Sequence, residues 1–133
     1  MVLVDTNVLI DVAVEDPEWC EWSADHLARA RESDRLALNA IVYAELSVYF
    51  DSAEQLESVL TPFRFERLHL PWEAAFVAAK AFKRYRARGG VKSAPLPDFF
   101  IGAHAAVAGL TILTRDPRQY REYFPSVGLI CPK

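Results

Sequence analysis

Cysteine is scarce in this chain: Cys20 and Cys131 are its two examples in 133 residues. Two thiols cannot build the disulfide framework of a small secreted domain, and neither stands at a metal-ligand spacing, so structural zinc is not expected. Long apolar runs are missing too. Stretches such as 74–79 and 105–110 fall far short of a bilayer span. The N-terminus lacks a basic region and is interrupted by Asp5 and Asp11, which argues against a signal peptide and for a cytoplasmic protein with reduced thiols. No glycine-rich phosphate loop occurs, which excludes nucleoside-triphosphate hydrolysis of the P-loop kind. Repeats, low-complexity tracts and linkers are absent, so residues 1–133 read as a single domain. One more absence is local: residues 74–97 contain no acid.

What is present describes a compact globule. Hydrophobic residues make up 52% and charged residues 25%, with a mean hydropathy of +0.04. The net charge of −3 speaks against a protein that holds nucleic acid by bulk charge. The charge is unevenly spread, however. Lys80, Lys83, Arg84, Arg86, Arg88 and Lys92 fall in the acid-free span, while acids gather at Glu15, Asp16, Glu18, Glu21 and Asp25, and again at Asp51, Glu54 and Glu57.

Strands and helices alternate. Residues 1–4 form an apolar strand, followed by a short helix. Asp16-Pro17-Glu18 reads as a cap and first turn of a second helix, with Trp19, Trp22, His26, Leu27 and Ala30 on its buried side. A strand at 35–39 leads into an apolar helix over 40–50, and a further helix spans 52–60, stopped by Pro62. Residues 65–70 suit a strand, 72–88 a long helix closed by Gly89-Gly90, and 93–97 a loop. Asp98 begins a helix over 99–108, a strand covers 110–114, a short helix holds Tyr120 and Tyr123, and 127–130 suits an edge strand. The alternation predicts an α/β fold on a mainly parallel sheet, in which ligands bind beyond the carboxyl ends of the strands.

Four acids stand at such junctions. Asp5 ends the first strand in the run Asp5-Thr6-Asn7, and Asp116 follows the strand at 110–114. Asp98 lies in a helical first turn. Each has a plain structural explanation when taken singly: the first run as helix-capping residues, Asp98 as a partner of the helix dipole, Asp116 before Pro117 as a cap. Glu45 is harder to explain that way. Its helical neighbours are Ile41, Val42, Val48 and Tyr49, and an unpaired carboxylate on a buried face costs several kcal/mol or takes up a proton. Carboxylates at a sheet rim, with the hydroxyls of Thr6 and Thr114 beside them, suit a hard cation such as Mg²⁺ or Mn²⁺, and such sites perform phosphoryl chemistry.

The segments DTNVLID, IVYAEL, PDFFIGAHA and LTRD, in this order along nearly the whole chain, resemble those of the PIN-domain ribonucleases, and among them the VapC toxins of type II toxin–antitoxin pairs. The resemblance implies a three-layer α/β/α sandwich with a mainly parallel central sheet. It implies a metal-dependent endoribonuclease that hydrolyses RNA phosphodiester bonds with Mg²⁺ or Mn²⁺, with Asp5, Glu45, Asp98 and Asp116 as the catalytic and metal-binding acids. Thr114, with Thr6 or Asn7, would support them by hydrogen bonds. It further implies a VapB-type antitoxin as partner and a homodimer of this chain.

The base-rich span predicts an RNA-tracking surface through Lys80, Lys83, Arg84, Arg86 and Arg88, with Tyr85 available to stack on a base. A solvated helix face explains any one of these equally well. His26 and His69 lack motif context, and His104 stands six residues past Asp98 on a different helical face, so all three read as structural; Trp19, Trp22, Trp72, Phe76, Phe99 and Phe100 read as core or dimer interface. Rival readings fare worse. A receiver domain needs an acidic pair after its first strand, and an aspartyl-phosphate phosphatase needs a second Asp where this chain has Asn7. The remaining alternative is a non-catalytic RNA- or protein-binding domain that retains the PIN fold.

Overall fold

Val2, Leu3 and Val4 are buried on both faces, which is the environment of a central parallel strand rather than of an edge. The computed structural model describes residues 1–90 and 96–133. In chain order its elements are β1 (Val2–Val4), α1 (Thr6–Ala13), α2 (Cys20–Ser33), β2 (Leu36–Leu38), α3 (Ala40–Ser47), α4 (Ala53–Leu60), a 3₁₀ turn (Thr61–Phe63), β3 (Glu66–Arg67), α5 (Trp72–Ala87), α6 (Leu96–Ala108), β4 (Thr111–Leu113), α7 (Arg118–Tyr123) and β5 (Leu129–Ile130). Among the described residues the strands form one sheet of order β3-β2-β1-β4-β5, and every pairing is parallel. Helices flank this sheet, as the α/β/α expectation requires.

Parallel neighbours run in the same direction, so the register Val4 to Leu113 brings the carboxyl ends of β1 and β4 side by side. The N–H of Asp5 continues the ladder to the carbonyl of Leu113 at 2.9 Å. Asp5 and Thr114 are therefore neighbours by sheet register, before any side-chain interaction is counted. Around this rim α1 packs on α2 and α3, α6 packs on α3, α5 and α7, and the apolar core of Leu3, Val8, Leu27, Leu38, Val42, Phe99, Ile101 and Leu113 is fully buried between them.

Several boundaries differ from the sequence expectations. The helix expected over 40–50 ends at Ser47, leaving Val48 82% and Tyr49 53% exposed, because the chain turns there toward the Ser52 cap of α4. Asp16 does cap, its Oδ1 accepting from the N–H groups of Glu18 at 2.9 Å and Trp19 at 2.8 Å, but regular α2 starts at Cys20. The strand expected over 65–70 is paired at Glu66–Arg67, where two half-exposed residues leave a short edge. Helix α6 begins two residues before Asp98, since Pro97 fits a first turn where its missing N–H costs nothing. Of the loop expected at 93–97, residues 93–95 lie outside the described residues, as does Lys92. Gly89 closes α5 with φ +88°, a conformation that a side chain would strain. At Gly102 the reason is contact: a Cβ there would stand 2.3 Å from the Phe124 ring, so glycine lets α6 approach the end of α7.

Candidate active site

Asp5 is the N-cap of α1, its Oδ1 accepting the Thr6 N–H at 2.7 Å, so the capping explanation of this residue is correct as far as it goes. A cap uses one carboxylate oxygen. The other, Oδ2, accepts from the hydroxyl of Thr114 at 2.8 Å, the hydroxyl of Tyr120 at 2.9 Å and, at a longer 3.4 Å, the Asn7 amide. Asp5 is only 4% exposed. Burial pushes its carboxyl up to about 6, against the downward pull of the Thr114, Tyr120 and Thr6 hydrogen bonds and with a further push from the charge of Glu45. Tyr120 was not singled out for the site by sequence reasoning. It is buried to 2%, and its phenol is held well above its ordinary value, so it remains a neutral donor.

Thr114 joins two acids. Its hydroxyl donates to Asp5 and accepts the Asp116 N–H at 3.1 Å, and the Asn7 amide lies 3.3 Å from the same oxygen. Asn7 in turn accepts the Arg115 N–H at 3.3 Å. The supporting roles expected for Thr114, Thr6 and Asn7 thus have definite partners. Thr6 donates to Oε1 of Glu45 at 2.6 Å. Glu45 is half-buried rather than enclosed by apolar neighbours, because Val48 and Tyr49 beyond it face outward. Among the described residues its compensation comes from a hydroxyl on α1 rather than from a basic side chain.

Asp98, in the first turn of α6, is half-buried, and its carboxyl is pushed up to about 7, first by burial and then by the charges of Asp5, Glu45 and Asp116. The structure therefore brings the four predicted acids close enough to repel one another. It does not aim all four at one point: among the described residues no three Asp, Glu, His or Cys side chains are grouped to hold a metal ion. Asp116 is directed elsewhere. Its Oδ1 accepts from Nε of Arg118 and its Oδ2 from Nη2, both at 2.9 Å, and this guanidinium lowers its pKa. Asp98, Asp116, Arg118, Gln119 and Glu122 line an open cleft of about 420 Å³. The donor set fits a hard cation: all oxygen, with a carboxyl on Asp98 whose charged form is disfavoured by like charges that a cation would neutralise.

Arg115 takes the other direction. Its Nε donates to Oδ2 of Asp11 at 2.8 Å, Ser23 donates to the same oxygen at 2.8 Å, and the guanidinium lies 5.7 Å from the Trp19 ring. Asp11 is 1% exposed, so this is a buried anchor for the turn between Thr114 and Asp116. Sequence reasoning used Asp11 only as an interruption of apolar character and did not find this network. Its one local signal is the polar face Asn7-Asp11, one helical turn apart on α1.

Of the predicted RNA-tracking residues, Lys80, Lys83, Arg84, Arg86 and Arg88 are all exposed on α5 or at its end. Arg88 pairs with Glu122 at 3.0 Å, which brings the end of this basic face to the wall of the acidic cleft. Tyr85 is not free to stack on a base. It is half-buried in an aromatic cluster with Phe82, Phe99 and Tyr123, and Gly90 lies against its ring. Trp72 and Phe76 are not core residues either, being 91% and 66% exposed, whereas Phe99 is fully buried. His104 is structural as expected: buried, its pKa lowered by that burial, with Nδ1 3.0 Å from the Asn39 amide whose oxygen caps α3. A second groove of about 250 Å³, lined by Leu38, Tyr43, Leu68 and His69 among others, holds none of the four acids.

This arrangement can be compared with known proteins. No curated protein matches the sequence. Similar folds occur in the solved structures of VapBC2 from Rickettsia felis bound to a DNA fragment from its promoter (TM-score 0.74, 20% identity, covering 100% of both chains), of FitAcB from Neisseria gonorrhoeae (TM-score 0.69, 26% identity, covering 98% of this chain and 96% of that one) and of a toxin–antitoxin complex from Klebsiella pneumoniae (TM-score 0.70, 22% identity, covering 100% and 98%). The family model described as PIN domain matches residues 2–125, and with the parallel sheet and its rim of acids in place, the chain belongs to the PIN domain family.

Proposed function

We propose that this chain is a metal-dependent endoribonuclease and the toxin of a VapBC-type toxin–antitoxin pair. One observation supports the nuclease reading: Asp5 and Asp116 share the Thr114 hydroxyl where β1 and β4 end, Thr6 ties Glu45 to that rim, and Asp98 lines one cleft with Asp116. A folded chain gains nothing in stability from such an arrangement, since mutual repulsion opposes folding. The arrangement is useful where a cation is to be held.

Asp5, Glu45 and Asp98, drawn closer together than they stand here and joined by Asp116 once it leaves Arg118, would hold Mg²⁺ or Mn²⁺. The ion would supply an activated water and neutralise charge on the scissile phosphate and its leaving oxygen. The chain's own residues do the rest. Thr114 and Tyr120 fix the Asp5 carboxylate in one orientation and, as neutral donors, stabilise its charged form. Thr6 does the same for Glu45. Lys80, Lys83, Arg84 and Arg86 on α5 would track the RNA backbone toward the cleft, which they approach through the Arg88–Glu122 pair.

The partner assignment draws support from the toxin–antitoxin complexes among the similar folds and from apolar side chains left in solvent, Trp72 and Phe76 on α5 and Val48 and Tyr49 after α3, which a VapB-type antitoxin or a second copy of this chain would cover. The decisive experiment is RNA cleavage with Mn²⁺, in excess EDTA, and with Asp5→Asn. Cleavage that survives both EDTA and Asp5→Asn would reject the assignment. Absence of cleavage by a folded wild type that still binds RNA would favour the non-catalytic alternative. The toxin role needs a separate measurement, growth arrest on expression of this chain alone and its relief by a neighbouring antitoxin gene.

A further inference from the structure

Two arginines flank Asp116, and they are held in opposite ways. Arg115 is 31% exposed at its side chain and anchored to the buried Asp11. Arg118 is 85% exposed, and its guanidinium takes both oxygens of Asp116. Among the described residues it makes no other hydrogen bond or ion pair. An exposed pair of this kind contributes little, because water and salt compete for both partners. A carboxylate with both oxygens on the guanidinium fork offers a cation only its remaining lone pairs, beside a positive charge that repels the cation. Yet Asp116 is one of the acids that the proposed metal site needs.

The cleft sharpens the point. Among the described residues its lining includes three acids, Asp98, Asp116 and Glu122, and a single cation, Arg118. A phosphodiester entering such a cleft needs positive charge besides that of a metal, and the guanidinium fork matches phosphate oxygens as well as it matches a carboxylate. We infer that Arg118 occupies two positions in turn: paired with Asp116 when no cation is held, and turned to a phosphate of the RNA when Asp116 faces the metal. Cation and RNA then assist each other, since the cation frees the arginine that the RNA uses. This rests on the metal-nuclease reading above, deepened to a residue that binds the substrate phosphate.

The test is Mn²⁺ affinity, measured by titration of free Mn²⁺ in electron paramagnetic resonance without RNA, for wild type, Arg118→Ala, Asp116→Asn and the double variant. Arg118→Ala should bind Mn²⁺ more tightly, by roughly two- to fivefold, the range that an exposed pair supplies. The gain should vanish in the Asp116→Asn background, because the arginine then has no carboxylate to withhold. Arg118→Lys keeps the charge and loses the fork, so part of the gain should remain. In the cleavage assay Arg118→Ala should raise KM for a short RNA by a larger factor than it lowers kcat. Unchanged or weaker Mn²⁺ binding by Arg118→Ala overturns the inference, as does an equal gain in both backgrounds, which would reflect general charge. Tighter Mn²⁺ binding with an unchanged KM overturns the phosphate role. Failure of the underlying reading looks different: Mn²⁺ would bind wild type and Asp98→Asn alike, or neither.

Discussion

The hydroxyl of Tyr120 donates to Oδ2 of Asp5 across 2.9 Å, joining α7 to the end of β1 over 115 residues of sequence. Both partners are almost wholly buried, so the bond has no water to replace it. Tyr120→Phe removes the donor and keeps the ring. It should lower stability by about 1 kcal/mol and push the Asp5 carboxyl further up. The pH at which cleavage reaches half its maximum should rise accordingly. Thermal melts and a pH–rate profile check both effects, and a profile unmoved by the substitution would mean that Asp5 does not limit activity.

Asp5 at about 6 and Asp98 at about 7 both lie above the ordinary carboxylate value of 3.8. A raised folded-state pKa means that the neutral form suits the fold, so the stability it contributes is complete below about pH 4 and is lost as pH rises through 6 to 7. Asp16, Asp34, Glu57 and Asp116 are shifted the other way, and their contribution is lost only on acidification below their ordinary values. Between pH 5 and pH 8 the second group no longer changes and buried His104, lowered by burial, works the other way, so with two raised carboxyls against one histidine the melting temperature in EDTA should fall. A melting temperature constant over that range would show that Asp5 and Asp98 ionise without strain.

Asp98→Asn follows from the same repulsion. The variant should be inactive, yet melt above wild type in EDTA at pH 8, by a margin on the order of 1 kcal/mol after the loss of a first-turn acid is subtracted. Mn²⁺ should stabilise wild type in proportion to the logarithm of its concentration and the variant much less. Equal stabilisation of both would remove Asp98 from the metal site.

The Asp11–Arg115 pair should behave as a buried ion pair. Arg115→Ala leaves the buried Asp11 carboxylate without its cation and should cost about 3 kcal/mol, whereas Trp19→Phe, which keeps an aromatic face over Arg115, should cost less than about 1 kcal/mol. Urea denaturation of the two variants provides the comparison.

On α5, Arg84→Ala with Arg86→Ala should weaken RNA binding and flatten its salt dependence by one to two counterions, with Mn²⁺ affinity unchanged. Arg88 is left out of this pair because its contact with Glu122 also docks α5 to α7. Unaltered salt dependence would place the RNA on another surface.

The acids were legible because each sits where local pattern changes. Asp5 and Asp116 follow apolar strand residues, and Asp98 follows a proline within a first turn. What the sequence could not convey is direction. Nothing local distinguishes Arg115 from Arg118, three positions apart, yet one points to Asp11 and the other to Asp116. In the sequence Tyr120 is only one of two tyrosines on a short helix; its hydroxyl matters because of a strand more than a hundred residues away. Val48 and Tyr49 misled for a related reason. Apolar character was taken to mean burial in the helix that carries Glu45, while the helix had already ended at Ser47.

The strand order has a consequence in time. β1 lies at the middle of the sheet, and β4, its neighbour at the acidic rim, is made more than a hundred residues later. A chain emerging from the ribosome carries Asp5 first, and Thr114, Asp116 and Tyr120 more than a hundred residues after it. No partly synthesised chain, and no fragment truncated before residue 114, can assemble the site. The activity proposed above therefore requires strands from both halves of the sequence, and cannot precede the synthesis of Thr114 and Asp116.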